Sequence, residues 1–306
     1  MSLINLLRRK SRTIFFTTPS HGQKFFIFNK FRQFYKYDIS ETDAHNPQAA
    51  LQSAQKRAAQ IYGTRQTYFL TNGSTSGIIA AVLACTKPGD KVLIREDAHP
   101  SHLNAVKLAG CEPVFYESGK WKVESVRAVV VTSPTYEGFV EEIVKGDYYL
   151  IVDEAHGALY PFSDRLPQSA VGIADFTIQS LHKTAGGLNP TALLHSNCDV
   201  DPGEALAKIT TTSPSYPLLA SIEANINFLN SKRGRAAIEK LIDDCLALGI
   251  EQPNDDPTKI LIPSHIPTPG IEDEKDDGVH KLFLCGIGTS TEKIKRLGRA
   301  LKNNRP

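Results

Sequence analysis

The sequence predicts an α/β protein: a three-layer α/β/α large domain built on a mostly parallel sheet, followed by a small, reduced α+β C-terminal domain. Three observations carry this expectation. From residue 48 onward, short apolar runs alternate with segments of helical spacing. Five polar clusters each follow or close one of these runs. After Tyr216 the pattern changes to two helical segments, a stretch rich in Pro, Asp and Glu, and a final strand and helix. Strands alternating with helices are the mark of a parallel sheet covered on both faces.

The elements follow in order. Residues 1–47 read as an irregular arm in which Arg8, Arg9, Lys10, Arg12, Lys24, Lys30, Arg32 and Lys36 precede the first acid, Asp38. A basic arm of this kind suits packing on a partner subunit. Pro47 introduces a helix over Gln48–Ile61, with Ala50, Ala54, Ala58 and Ile61 on one face and Gly63 as its stop. Strands are expected at Tyr68–Leu70, Lys91–Ile94, Pro113–Tyr116, Ala128–Val131, Tyr149–Val152, Phe176–Ile178 and Ala192–Leu194, and helices at Gly77–Cys85 and His102–Ala109. The large domain is taken as 48–220 and the small one as 221–306. The latter holds helices over Ser221–Leu229, Gly234–Leu248 and Glu292–Leu301, and strands at Ile260–Ile262 and Leu282–Cys285.

Composition narrows the functional classes. With 306 residues, 41% of them hydrophobic, the chain can bury a sizeable core. A net charge of +2 is too weak a bias to indicate nucleic-acid or membrane binding. No apolar run reaches the roughly 18–20 residues of a membrane span. Five scattered cysteines without a CxxC pair read as reduced thiols of a cytoplasmic protein.

In open α/β sheets the ligand sits beyond the carboxyl ends of the strands, where these polar clusters fall. Gly73-Ser74-Thr75-Ser76-Gly77 lies between a strand and a helix, and a helix N-terminus with Ser and Thr donors suits a phosphate, although the same residues serve as a plain N-cap. The strand ending in Asp153-Glu154-Ala155-His156 brings a carboxylate to the same edge. A DEAH-type nucleotide hydrolase would need a G-x-x-x-x-G-K-[ST] loop, which the sequence lacks. The remaining reading pairs Asp153 with a protonated pyridine nitrogen. Thirty positions later, Gln179-Ser180-Leu181-His182-Lys183 ends in a lysine beside Ser180 and His182. Phosphate cup, ring acid and lysine occur in the order that pyridoxal 5′-phosphate (PLP) chemistry uses, with Lys183 as the Schiff-base amine. His99 follows the Lys91–Ile94 strand, where its ring could stack on a cofactor. His99 and His102 lack the further ligands of a metal site, and none is expected.

These motifs resemble the Orn/Lys/Arg decarboxylase family, within the aspartate-aminotransferase-like PLP enzymes of fold type I. The matching stretches are 17–22, 70–77, 97–101, 131–138, 152–157, 179–184 and Thr211-Thr212-Ser213-Pro214-Ser215-Tyr216, with the DEAHG and TSPSY runs the most specific. The resemblance implies a PLP-dependent transferase-like large domain and decarboxylation of a basic amino acid: lysine, ornithine or arginine. The substrate amine would displace Lys183 from the cofactor. Asp153 would pair with the pyridine nitrogen and His99 would stack on the ring, while His156 would lie near the ring hydroxyl or the substrate carboxylate. Ser74, Thr75 and Ser76 would hold the phosphate, helped by Ser180 and His182. Ser213 and Ser215 would sit near a subunit interface of a homodimer. The sequence departs from the family pattern at Ser20, Pro100, Leu181 and Gly186–Pro190, and its small domain is short. Asp256-Pro257-Thr258-Lys259 matches a family motif. Glu137 is the weak candidate for reading a cationic side chain. Two other readings stand beside this one: another fold-type-I reaction, such as an aminotransferase or lyase, and a reduced, non-catalytic homologue with a binding or regulatory role.

Overall fold

The computed structural model describes residues 14–16, 48–117 and 125–302. The motif at 17–22 and nearly all of the expected arm lie outside them. All seven expected strands of the large domain form one sheet: β2 (Gln66–Leu70), β3 (Lys91–Arg95), β4 (Glu112–Tyr116), β5 (Ala128–Thr132), β6 (Tyr149–Asp153), β7 (Phe176–Ser180) and β8 (Ala192–Ser196). Their order is β2-β8-β7-β6-β5-β3-β4, and only β8 runs against its neighbours. β3, β5, β6 and β8 carry continuous buried apolar runs because both faces are covered. In β5, Ala128 and Val130 pack into one layer and Val129 and Val131 into the other, all fully buried.

Helices α1 (Ala49–Tyr62), α2 (Gly73–Cys85), α3 (Pro100–Leu108) and α4 (Gly203–Ile209) cover the sheet, followed by α5 (Tyr216–Asn230) and α6 (Lys232–Leu246). The polar first turn of α2 hides four residues from the apolar periodicity, so the helix starts at Gly73 rather than Gly77. α4 is too short for its period to stand out in the sequence. Gly77 lets α2 lie directly on the sheet: a Cβ there would come 2.8 Å from Leu70 Cδ1 and 3.0 Å from Ile178 Cγ2. That close approach sets the helix N-terminus beside the ends of β6 and β7. Gly77→Val is expected to cost about 2 kcal/mol through overpacking, read as a lower urea midpoint.

The C-terminal region forms a three-stranded antiparallel sheet of β9 (Lys259–Pro263), β11 (Lys275–Asp276) and β12 (His280–Leu284), covered by α6 and α7 (Thr291–Lys302). Three short strands escaped the sequence pattern: β11, β10 (Ile271–Glu272) and β1 (Ile14–Phe15) in the expected arm, the last two paired in parallel. The expected boundary at 220/221 falls inside the continuous helix α5. One apolar cluster runs from Ala58 and Leu181 through Ile226 to Ile242, Phe283 and Leu297, so the small unit shares its core with the large one.

Glu154 faces away from the cavity at the strand ends. It accepts hydrogen bonds from Ala170 N (2.7 Å), Ser169 Oγ (2.7 Å) and Gln179 Nε2 (2.6 Å) and is almost wholly buried. Burial outweighs those three bonds and pushes its carboxyl up from 4.5 to about 7. The folded chain therefore keeps this proton up to about pH 7, while the unfolded chain releases it near 4.5. Stability is expected to fall as pH rises across that window, by about 3 kcal/mol in total. Urea melts at pH 5 and pH 8 test this, and Glu154→Gln should flatten the slope.

Candidate active site

The carboxyl ends of β5, β6 and β7 and the N-terminus of α2 open onto a cavity of about 700 Å³. Its walls include Gly73, Ser74, Thr75, His99, Thr132, Tyr136, Asp153, His156, His182 and Lys183. Lys183 lies in a single π-helical turn, Leu181–Ala185, directly after β7, a backbone irregularity often found at functional sites. Its amine sits 3.0 Å from His156 Nε2 and 6.0 Å from the Tyr136 ring centroid. Burial lowers the Lys183 pKa, and the Lys259 ammonium lowers it further against the opposing carboxylates of Asp153 and Glu274. An amine so placed is a better nucleophile at neutral pH than a solvated lysine.

Asp153 ends β6, almost wholly buried. One oxygen accepts from His102 Nε2 at 2.9 Å and the other from Ala155 N at 3.1 Å. Burial pushes its carboxyl upward, but the His102 hydrogen bond and charge, the Lys183 ammonium and the Ala155 N–H outweigh it and hold the pKa below the usual range. Asp153 is therefore an anion at neutral pH. His102, fully buried on the first turn of α3, was set aside in the sequence as half of a metal pair. Its link to Asp153 spans 51 residues, and no local signal announces it.

His99 caps α3: its Nδ1 accepts from Ser101 N at 3.2 Å, which leaves the ring proton on Nε2. Burial lowers its pKa, and Lys183 and His102 add to the effect while Asp153 opposes it. His156 is held well below the usual histidine range by burial first, then by Lys183, Lys259, His182 and His99. Its ring packs on Tyr136 at 4.5 Å between centroids. With Nε2 accepting from Lys183, its Nδ1 is left without a partner. His182 Nδ1 donates to Thr191 O at 3.1 Å, and burial lowers its pKa.

Not every expected residue reaches the cavity. Ser74 and Thr75 line it, but Ser76 is buried and turns its hydroxyl back onto Gly73 O at 2.8 Å. One position on from Thr75, the helix has turned by about 100° and taken that side chain off the cavity wall. Ser180 is fully buried and off the cavity wall, its hydroxyl unpartnered. Ser213 is exposed and Ser215 forms the N-cap position of α5, and the single chain brings neither to the cavity. Thr132 does line it, with an unpartnered hydroxyl. Glu137 lines it too, paired with Lys275 at 2.7 Å.

These features fit PLP. First-turn N–H groups of α2 lack intrahelical acceptors and face a cavity with two hydroxyl side chains, which suits a phosphate. An ionised carboxylate, a depressed lysine and unpartnered polar atoms on Thr132 and His156 surround the same space. Among the described residues no cluster could hold a metal ion, and no helix is long and apolar enough to cross a membrane.

Comparison with known proteins agrees with this architecture. The uncharacterized protein YaaO of Bacillus subtilis is 33% identical over 262 residues, covering 72% of this chain and 54% of YaaO. An arginine decarboxylase of Bacillus anthracis is 30% identical over 273 residues, covering 76% of this chain and 55% of the enzyme. The chain thus spans about half the length of the curated relatives it matches. Among solved structures, the constitutive lysine decarboxylase of Escherichia coli superposes with a TM-score of 0.73 at 21% identity, covering 90% of this chain and 55% of that one. The fold is the fold-type-I architecture of PLP-dependent enzymes. The family model described as "Orn/Lys/Arg decarboxylase, major domain" matches residues 8–123 and 117–255, and the chain belongs to the Orn/Lys/Arg decarboxylase family.

Proposed function

We propose that this chain binds PLP covalently at Lys183 and decarboxylates a basic amino acid of the lysine, ornithine or arginine class. The observation that carries the reading is the convergence of a desolvated amine at Lys183 and a buried anionic carboxylate at Asp153 on one cavity beside the N-terminus of α2. When bound, PLP supplies the electron sink for loss of carbon dioxide. The chain's own residues do the rest. Ser74, Thr75 and the α2 N-terminus take the phosphate, with His182 nearby. Asp153, backed by His102, keeps the pyridine nitrogen protonated. His99, fixed as the cap of α3, presents its ring to the cavity. His156 holds the amine of Lys183, which returns a proton to the substrate carbon after carbon dioxide leaves. The protein chooses the reaction by which substrate bond it orients across the ring.

The acids on the cavity wall already have basic partners: Asp97 with Arg95, Glu137 with Lys275, Asp153 with His102. A cationic side chain entering here exchanges with Lys275 at Glu137, the pair that the small sheet contributes through β11. We assign residues 48–220 and 221–306 as two units joined by helix α5, which crosses 220/221, and by a common core. The exposed loop carrying Ser213 and Ser215 is the segment offered to a second copy in a homodimer of the cytoplasm.

The test is spectroscopic. Purified protein mixed with PLP is expected to develop a visible absorbance band that one of lysine, ornithine or arginine shifts, with release of carbon dioxide and no keto acid. Keto-acid formation would assign an aminotransferase instead. Absence of any band would remove PLP from the account.

A further inference from the structure

The side chain of Lys259 is fully buried, a state lysine tolerates only with a partner. Its ammonium lies 2.8 Å from Asp256 Oδ2 and donates to the backbone carbonyl of His156 at 3.3 Å. Asp256 is equally buried and equally engaged. Its Oδ2 also accepts from the Tyr160 hydroxyl at 2.9 Å, and its Oδ1 accepts from Thr258 N and Oγ1 at 2.9 and 2.6 Å. Both partners of this pair, three residues apart at the start of β9, therefore grip the segment 156–160 that follows Asp153.

The same stretch also grips a second segment. Asp255 N and Asp256 N donate to Gly138 O at 3.1 and 3.2 Å, and Asp255 Oδ2 accepts from Val140 N at 2.8 Å. Asn254 Nδ2 donates to Glu137 O at 2.5 Å. Gly138, at φ 97°, sits so close that a Cβ there would be 3.0 Å from Lys259 Cδ and 3.1 Å from Asp256 Cβ. The two segments held in this way carry His156 and Tyr136, whose rings pack together beside the amine of Lys183.

We propose that Asp256 and Lys259 are the positioning unit of the active site: they fix the His156 and Tyr136 segments against each other and set a positive charge behind the ring that meets Lys183. The inference rests on the reading of Lys183 as the reactive amine. Stability alone does not account for the pair, since well-packed neutral side chains in such places often stabilise a protein as much or more. Its electrostatic effect has a definite sign. The groups facing Lys183 are Asp153, Glu274, His99, His156, His182 and Lys259. After burial, Lys259 is the group that disfavours the Lys183 ammonium, while Asp153 and Glu274 favour it. For His156, Lys183 and Lys259 act together after burial to keep the ring neutral, able to accept the amine's hydrogen bond.

The experiment measures the titration of Lys183 in the full chain free of cofactor, as the pH dependence of acylation by acetic anhydride read on the Lys183 peptide by mass spectrometry. The variants are Lys259→Met, Lys259→Arg and the doubly neutral Asp256→Asn/Lys259→Met, each checked for folding by circular dichroism and a urea melt. Removing the charge should slow labelling at neutral pH several-fold and move the profile to higher pH in both Lys259→Met chains, and Lys259→Arg should restore it. The double variant leaves no charge unpaired in the core and guards against simple misfolding. A folded double variant with the wild-type profile overturns the proposal. So does a Lys259→Arg profile displaced as far as that of Lys259→Met, because the effect would then follow packing rather than charge. Borohydride reduction of wild-type protein with PLP separates this from the functional reading. If no adduct is trapped on Lys183, the reading of the amine fails, whereas a trapped adduct with unmoved titrations rejects the positioning unit alone.

Discussion

Lys183→Ala is expected to abolish borohydride-trappable attachment of PLP and to lower carbon dioxide release by about 10³-fold or more. The size follows from two roles lost at once. The amine captures the cofactor, and it is the donor placed 3.0 Å from His156 Nε2, where it delivers a proton to the substrate carbon. Fold integrity should survive. The side chain lies at the cavity wall, and its removal relieves a buried amine whose charged form is disfavoured by burial and by Lys259. Equilibrium binding of PLP to the variant separates the roles: the phosphate contacts at Ser74, Thr75 and the α2 N-terminus remain, so weak, reversible binding should persist. Wild-type turnover in Lys183→Ala at saturating PLP would remove Lys183 from the chemistry.

The strands that build this site were legible because they are buried on both faces. Runs such as Leu150-Ile151-Val152 and Val129-Val130-Val131 need no partner to be recognised, and the polar residue closing each run marks the strand end where chemistry sits. Asp153 was therefore readable as the last position of its run, and Lys183 as the lysine closing the polar cluster just past β7. Helix phase was not. Whether Ser76 faces a ligand or the sheet depends on where α2 begins, and its polar first turn hides that. Contacts between distant segments left no trace either. His102 meets Asp153 because α3, packed on α2, β3 and β4, brings its first turn to the end of β6, and Lys259 reaches the His156 carbonyl across 103 residues. In the sequence, His102 looks like an ordinary polar residue beside a motif, and Lys259 belongs to a motif that carries no stated role. The boundary drawn at 220/221 lies within a helix for a related reason. Ser221–Leu229 is helical in spacing, but the five residues before it extend the same helix, and its buried face belongs to a core common to both units.

The second large effect falls on Asp153. Asp153→Asn keeps the shape and can still accept from Ala155 N, but it removes the buried negative charge that would hold the pyridine nitrogen protonated. Losing one partner of a buried charge pair costs about 3–5 kcal/mol, which corresponds to a fall in turnover of roughly 10²–10⁴-fold. Lys183 should still be trapped with PLP, because the amine and the phosphate contacts are untouched, and that result would show that the loss lies in the electron sink rather than in cofactor capture. His102→Phe tests how the carboxylate is held. It removes one hydrogen bond to a charged group, worth about 1.5–3 kcal/mol, so its loss in turnover should be about ten- to a hundred-fold and smaller than that of Asp153→Asn. The decisive comparison is the double variant. His102 lines up behind the carboxylate and acts on the ring only through it, so once Asp153 is neutral the histidine has nothing left to orient. Asp153→Asn/His102→Phe should therefore turn over no more slowly than Asp153→Asn alone, a full departure from additivity. Additive losses would mean that His102 reaches the substrate by another route, and single-turnover carbon dioxide release at saturating PLP, measured on all four proteins, distinguishes the two.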